Sequence, residues 1–301
     1  MSITLPANLI TALHRRLGST AQQWLDVELP SVLARCQTRW NLTVEGVIDG
    51  GATAAIFAVR QTGNRPAVLK ILPELDLAAQ ELLGWQLWSG RGLPRLLDYD
   101  LPSGVLLQER VLPGTSLLDP SVKEASAHAA RLLQQLMAVI VDRPLPPLVK
   151  RVDGRLRHAS ELVREGENAV SEILVLKAAR LSETLLADQT IPTALHGDYF
   201  PDNILWSDTQ GWMAIDPQPC FGDSAFDAGT WCYAYQRGEH VSDHATVFAT
   251  TLGIDIERII GWARVVAITN LAWRFACGHA SEREVVTSLA FATIDRGSYS
   301  N

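Results

Sequence analysis

The chain has no surplus of basic residues: Lys and Arg total 26 against 33 Asp and Glu, a formal charge of -7. A nucleic-acid surface built on phosphate contacts is therefore not expected, although a local basic pocket is compatible with that total. Cysteine is sparse as well. Cys36, Cys220, Cys232 and Cys277 lie far apart, with neither zinc-ligand spacing nor the density of a small disulfide scaffold. A reducing cytoplasm is the expected setting. The amino terminus, MSITLPANLITALHRRLGSTAQQ, lacks a basic segment followed by an apolar export core. No apolar run reaches membrane-spanning length. The stretch WARVVAITNLAW is interrupted by Arg264 and Asn270 and reads as a buried helix. Neither a membrane nor a nucleic acid is an expected partner, and no internal repeat or low-complexity segment stands out. What is present is an ordinary globular composition, 47% hydrophobic and 20% charged over 301 residues, enough for two lobes and a cleft between them.

Hydrophobic periodicity divides the chain. Residues 20–40 read as a helix, with Leu25, Leu29, Val32, Leu33 and Trp40 on its apolar side and Pro30 marking a start or a break. LTVEGV, AIFAVR and RPAVLKILP read as strands, residues 76–90 as a helix, and RLLDYD and GVLLQERVL as two further strands around Pro102-Ser103-Gly104. Beyond LPGTS the pattern turns helical, over 121–141, 157–187, 223–238, 243–251, 255–277 and 281–295, with the Pro-rich VDRPLPPLVKRVDG as an ordered connector. Two short strands, TALHG and GWMAIDP, interrupt it. The expected fold class is α+β and bilobal: a helical extension over 1–41, a small antiparallel sheet lobe with one packed helix over 42–113, and a mainly helical lobe over 114–301.

ALHGDYFPDNILW, followed by AIDPQPCFGD, concentrates small polar acceptors between strands. Asp198 and Asn203 stand five positions apart on a segment that Pro201 keeps irregular. Such a loop can aim the Asp198 carboxylate at a substrate hydroxyl while the Asn203 amide oxygen reaches a cation. Asp216 at the next strand end completes an oxygen set suited to Mg2+, which takes few protein ligands and fills its shell with phosphate oxygens. His196 reads as a loop-holding residue. Lys70 on the third strand and Glu81 on the following helix form one proposal: an amine for the α- and β-phosphates, restrained by a carboxylate. Gly50, Gly51 and Ala52 between the first strands could let backbone amides approach phosphate, although a plain hairpin turn explains them equally well. Gln108, Glu109, Arg110 and Val111 read as a hinge (108–113) offering backbone groups to an adenine edge. Asp202 could support the loop, bind a cation or cap backbone groups.

These motifs together resemble the aminoglycoside phosphotransferase-type small-molecule kinases, relatives of the protein-kinase-like fold. EGVIDGGATAAIFAVRQTGNRPAVLK, LLGWQLWSGRGLPRLLDYD and VLLQERVLPGTSL resemble the streptomycin 6-phosphotransferase and hydroxyurea phosphotransferase branch. The resemblance covers most of residues 42–235. It implies transfer of the γ-phosphate of ATP to a hydroxyl, with Asp198 as the catalytic aspartate, Asn203 and Asp216 as magnesium ligands, Lys70 on the phosphates and Asp227 supporting the loop. Pro217 and Gln218 replace the Phe and Gly of the related DFG motif.

An aminoglycoside, amino sugar, sugar or aminocyclitol is the expected acceptor. An amino alcohol, amino acid or other small metabolite is the alternative, followed by a regulatory protein that binds nucleotide without turnover. Monomer and homodimer are equally open. Asp223 reads as a cap and electrostatic support, His240 and His244 as a turn or solvated helix start, Trp262 and Trp273 as packing, and Arg91 and Arg95 as ion-pair residues.

Overall fold

A computed structural model describes residues 4–50, 53–119, 121–166, 168–188, 191–235, 240–278 and 280–293. The chain divides into two compact units, Met1–Pro113 and Gly114–Asn301.

The first unit is built on a five-stranded antiparallel sheet in the order β1-β2-β3-β5-β4: β1 Thr43–Val47, β2 Ala55–Gln61, β3 Arg65–Ile71, β4 Leu96–Asp100 and β5 Val105–Glu109. Side chains alternate faces along a strand. Ala55, Phe57 and Val59 of β2, Ala67, Leu69 and Ile71 of β3, and Val105 and Leu107 of β5 all enter one buried core. The same core takes Leu9 and Leu13 of α1 (Ala7–Leu17) and Leu29, Val32, Leu33 and Cys36 of α3 (Leu29–Trp40). The short α2 (Ala21–Gln23) and a π-helical turn, Trp24–Glu28, lead into α3. The expected helix over 20–40 is thus a run of three local geometries. Strand parity then sends Lys70 and Gln108 to the opposite face, where α4 (Leu75–Trp88) brings Glu81.

The second unit is mainly helical: α5 Ala125–Met137, α6 Leu148–Glu165, α7 Glu172–Ala187, α8 Ala225–Ala234, α9 Val241–Leu252, α10 Ile256–Ala276 and α11 Glu282–Thr293. The helix α10 is buried along most of its length, and Asp255 caps it by accepting from Glu257 N at 2.9 Å. Gly229 lets α8 lie close against it, since a Cβ there would meet Ala263 N and Trp262 Cβ at 2.7 Å. Two departures from the sequence reading occur here. The segment expected as one helix over 157–187 is two helices, and the expected connector VDRPLPPLVKRVDG already enters α6 at Leu148. Prolines 144, 146 and 147 end just where a helix tolerates them, before its first turn.

Short strands frame the polar loops. β7 (Thr193–Leu195) pairs with β10 (Cys220–Gly222), and β8 (Ile204–Ser207) lies between β6 (Pro113–Ser116) and β9 (Gly211–Ala214). Together the sheet unit and the helical unit give the bilobal α+β class expected from the sequence. Among the described residues no helix is long and apolar enough to cross a membrane.

Candidate active site

On the first unit, Lys70 Nζ lies 2.8 Å from Glu81 Oε2, with side-chain exposures of only 5% and 7%. Trp85 Nε1, one helical turn beyond Glu81, donates to Glu81 Oε1 at 3.1 Å. A buried amine and carboxylate each cost several kcal/mol to desolvate, so the pair is tolerable because each satisfies the other. On the same sheet face, Gln108 is buried and its Oε1 has no hydrogen-bond partner among the described residues. Glu109 pairs with Arg95 at 3.4 Å, and Arg110 donates to Glu45 at 3.0 Å, while Val111 follows the strand end half-buried. Gly50 has a positive φ of 120°, and its N–H donates to Asp49 Oδ1 at 2.8 Å. Asn8 donates to the same oxygen at 3.2 Å, so the Asp49 charge is locally engaged. Gly51 and Ala52 lie outside the described residues.

On the second unit, β7 delivers His196 and Gly197 into a loop held from below. Fully buried Asp227 on α8 accepts from His196 N at 2.6 Å and Gly197 N at 3.0 Å. Burial pushes its carboxyl up to about 7, against the lowering effect of those two donors. Gly197 takes φ +78°, and a Cβ there would lie 2.0 Å from Gln218 O. Glycine is therefore required both by backbone conformation and by the close approach of the two loops. Gln218 N completes the junction, donating to His196 O at 2.8 Å. Burial lowers the pKa of the His196 ring to about 4, opposed by the nearby charges of Asp198 and Asp216 and by the Ile215 backbone. His196 is thus a neutral brace between the loops near pH 7.

Asn203 Nδ2 donates to Asp198 O at 2.9 Å and Asp198 Oδ2 at 3.2 Å. The β8/β9 register pairs Ile204 with Ala214 and continues through Ile215 N donating to Asn203 O at 2.9 Å. That register carries Asp216, at φ +56°, to the same end of the hairpin as Asn203. Asp198, Asn203 and Asp216 are therefore assembled by one loop and one hairpin.

Two residues in this cluster escaped the sequence reading. Arg151 Nη2 and Arg155 Nη2 donate to the same oxygen, Asp198 Oδ1, at 3.0 and 3.1 Å, and Arg151 Nη1 also donates to Gln218 Oε1 at 2.8 Å. Arg155 additionally lies 5.9 Å from the ring centroids of Phe200 and Phe226. Their i, i+4 spacing puts both arginines on one face of α6. That spacing was the available signal, hidden because Arg151 falls in the expected connector and Arg155 between it and the helix expected from 157.

The donor chemistry suits magnesium. Asn203 commits its amide nitrogen to Asp198, so its amide oxygen and the Asp216 carboxylate are the atoms that would hold a cation. Among the described residues no three His, Cys, Asp or Glu side chains form a self-sufficient metal site. A protein set this small fits an ion that retains water and substrate oxygens.

The secondary candidates resolve structurally. Asp223 accepts from Ala225 N at 3.1 Å, Arg258 Nε at 2.7 Å and Trp262 Nε1 at 2.5 Å, so it is both cap and buried ion-pair partner, while Trp262 is core. Trp273 is partly exposed. His240 forms the capping box of α9 with Asp243, as a helix start should. His244, by contrast, is buried rather than solvated, 2.9 Å from Ser126 Oγ, because the next turn of α9 faces α5. Burial raises the Cys220 thiol to about 12, leaving it no thiolate character near pH 7.

The family profile described as "Aminoglycoside/hydroxyurea antibiotic resistance kinase" matches residues 39–278. Hydroxyurea phosphotransferase of Kitasatospora aureofaciens is 29% identical over 303 residues, covering 95% of this chain and 85% of the relative. Streptomycin 6-kinase of Streptomyces glaucescens is 27% identical over 306 residues, covering 96% and 97%. In fold, the chain is similar to aminoglycoside phosphotransferase APH(4)-Ia, with a TM-score of 0.63 at 14% identity, covering 88% of this chain and 97% of the other. Choline kinase LicA from Streptococcus pneumoniae gives the same TM-score of 0.63 at 14% identity, covering 87% and 96%. A profile that spans the end of the first unit's helices, the whole sheet and both polar loops leaves one conclusion: this chain belongs to the aminoglycoside/hydroxyurea antibiotic resistance kinase family, within the aminoglycoside phosphotransferase-like small-molecule kinases.

Proposed function

We propose that the protein moves the γ-phosphate of ATP to a hydroxyl of a small polyhydroxylated acceptor, a sugar, amino sugar, aminoglycoside or aminocyclitol. The observation that carries this reading is the Asp198–Asn203–Asp216 assembly. A carboxylate and an amide oxygen stand on one loop, and a second carboxylate is brought alongside by strand register. Its setting is the cytoplasm, in keeping with cysteines that are few and far apart in the sequence.

Asp198 Oδ2 takes the acceptor hydroxyl. Oδ1 already accepts from two arginines, whereas among the described residues Oδ2 accepts only from Asn203, and the side chain is 24% exposed. Orientation of the attacking oxygen is the first contribution of Asp198, and receipt of its proton, late in the attack, is the second. Lys70, held by Glu81, binds the α- and β-phosphates. The turn of Gly50, Gly51 and Ala52 meets phosphate with its backbone amides, the Gly50 N–H exchanging Asp49 Oδ1 for a phosphate oxygen, and Gln108, Glu109, Arg110 and Val111 bind the adenine edge. Asn203 and Asp216 would hold Mg2+, which when bound neutralises charge on the phosphate oxygens.

The test is mass spectrometry of products after incubation with ATP, magnesium and a panel of sugars, amino sugars, aminocyclitols and amino alcohols. A mass increase of one phosphoryl group is expected, abolished by chelation and by Asp198→Asn while ATP still binds. Undiminished transfer by Asp198→Asn would remove the assignment.

A further inference from the structure

The acidic chain places two arginines where the proposed reaction needs only a carboxylate. Arg151 and Arg155 both meet Asp198 Oδ1, with side-chain exposures of 11% and 23% against 24% for Asp198. A guanidinium carries five N–H donors. Among the described residues Arg155 hydrogen-bonds only to Asp198, and Arg151 only to Asp198 and Gln218, with its buried Nε–H unpartnered. Donors in this corner therefore outnumber the acceptors they meet, and two guanidinium groups share the Asp198 carboxylate, with the buried Asp227 carboxyl acting on Arg155 through space. Burial, and next the charge of Arg151, lower Arg155 to about 10, which leaves it cationic at neutral pH. The same helix exposes Lys150, Asp153 and Arg157.

A loop brace alone would need one of these arginines. Arg151 already ties Asp198 to Gln218, so it joins the two loops without help. Arg155 reaches no second loop by hydrogen bonding, is the more exposed of the two, and lies against Phe200 and Phe226, which limit its freedom without using its N–H groups. A planar guanidinium held on aromatic rings with free donors is suited to bidentate recognition of an oxyanion. A cationic acceptor placed at Asp198 would instead meet two like charges.

We propose that the preferred acceptor carries an anionic oxygen group, a carboxylate or phosphate ester, close to the hydroxyl that is phosphorylated, and that Arg155, backed by Arg151, binds it. This rests on the phosphotransferase reading and, within its acceptors, favours acidic sugars and related polyhydroxy acids over the amino-bearing ones. Arg155 is thereby a specificity residue, and Arg151 a positioning residue that also adds charge.

The full chain, with ATP and magnesium, is to be assayed on acceptors that differ in one group: glycerol, glycerate, glycerol phosphate and aminopropanediol, then glucose, glucuronate and glucosamine. An acidic member is expected to exceed its neutral and cationic counterparts in kcat/KM by about ten-fold or more, the scale of one charge-assisted contact. Glycerate against glycerol phosphate separates carboxylate from phosphate recognition. Arg155→Gln should collapse that ratio toward one, and Arg155→Lys should keep part of it. A wild-type ratio at or below one overturns the inference. So does a ratio that Arg155→Gln leaves intact, since an arginine that only holds Asp198 or the transferred phosphate would slow all acceptors alike. Should Arg155→Gln fail to fold, the wild-type ratio and Arg155→Lys still decide.

Binding gives a readout independent of acceptor identity. With magnesium and a non-hydrolysable ATP analogue saturating, malonate at constant ionic strength should raise the Tm of the wild type more than that of Arg155→Lys, and an equal response overturns the inference. Transfer that favours neutral or cationic acceptors defeats this inference alone. A chain that neither binds the analogue nor consumes ATP with any acceptor defeats the phosphotransferase reading as well.

Discussion

The two units hold their functional charges in opposite ways. In the sheet unit, Lys70 and Glu81 lie 2.8 Å apart and are almost sealed from solvent. In the helical unit, Asp198 stays about one quarter exposed and accepts from three side chains, two of them cationic. A sealed pair fixes an amine in one place, which suits a partner that never changes, such as the triphosphate of the proposed nucleotide. An open carboxylate surrounded by donors suits a partner that must arrive, be oriented and leave. The difference shows that one charge is fixed by burial beside its partner, whereas the other is held by several donors without losing contact with water.

The strongest way to break that contrast is at the open end. Asp198→Asn is expected to cut phosphoryl transfer by about 10²–10⁴, the usual worth of a general base, with nucleotide affinity held, as read by single-turnover assay and nucleotide titration. At the sealed end the loss should appear in folding first. Lys70→Met strands the Glu81 carboxylate and is expected to cost about 3–5 kcal/mol in urea unfolding, as for other broken buried pairs. Adding Glu81→Gln, which keeps an acceptor for Trp85, should recover part of it. If Lys70→Met were neutral in unfolding, the pair would not be the sealed element described above.

A smaller effect is expected from Gly197→Ala. The positive φ and the approach of Gln218 O should cost about 1–3 kcal/mol, accompanied by a fall in kcat, because the two loops part where Asp198 is held. Calorimetry and transfer kinetics on one preparation test both halves of that statement.

The smallest effect is a pair of opposing pH dependences beneath the open carboxylate. Asp227 is raised from 3.8 to about 7, so the folded state holds its proton more tightly than the unfolded chain does. Its stabilising contribution is complete below pH 4 and lost as pH rises through about 7. His196 is lowered from 6.5 to about 4, so the unfolded chain binds the proton more tightly. Its contribution is complete above about 6.5 and lost as pH falls toward 4. The two slopes offset each other between these limits. Urea midpoints should therefore fall toward low pH in Asp227→Asn and toward neutral pH in His196→Gln, each more steeply than in the wild type. Parallel pH profiles for all three proteins would contradict the opposition.

Much of the first unit was legible because its information is local. The five strands and the helix carrying Glu81 follow from alternation and turn residues, whereas the β3/β5 register puts Lys70 and Gln108 on one face. The loop bearing Asp198 and Asn203 was legible for the same reason, as five residues around Pro201 leave little choice of conformation. Helix boundaries in the second unit were less so. The prolines before Leu148 look alike whether they continue a connector or precede a first helical turn, and only packing of Leu148, Val152 and Ala159 distinguishes the two.

Sequence by itself determined which side chains carry charge, the period of each element and the short-range geometry of the Asp198 loop, since these depend on backbone sterics and neighbours a few residues apart. Tertiary structure decided that Arg151 and Arg155, 47 and 43 residues earlier in the chain, would meet Asp198. Helical spacing fixes that the two arginines share a face, but what that face meets is settled by the burial of the opposite side of α6, and no local rule contains that choice.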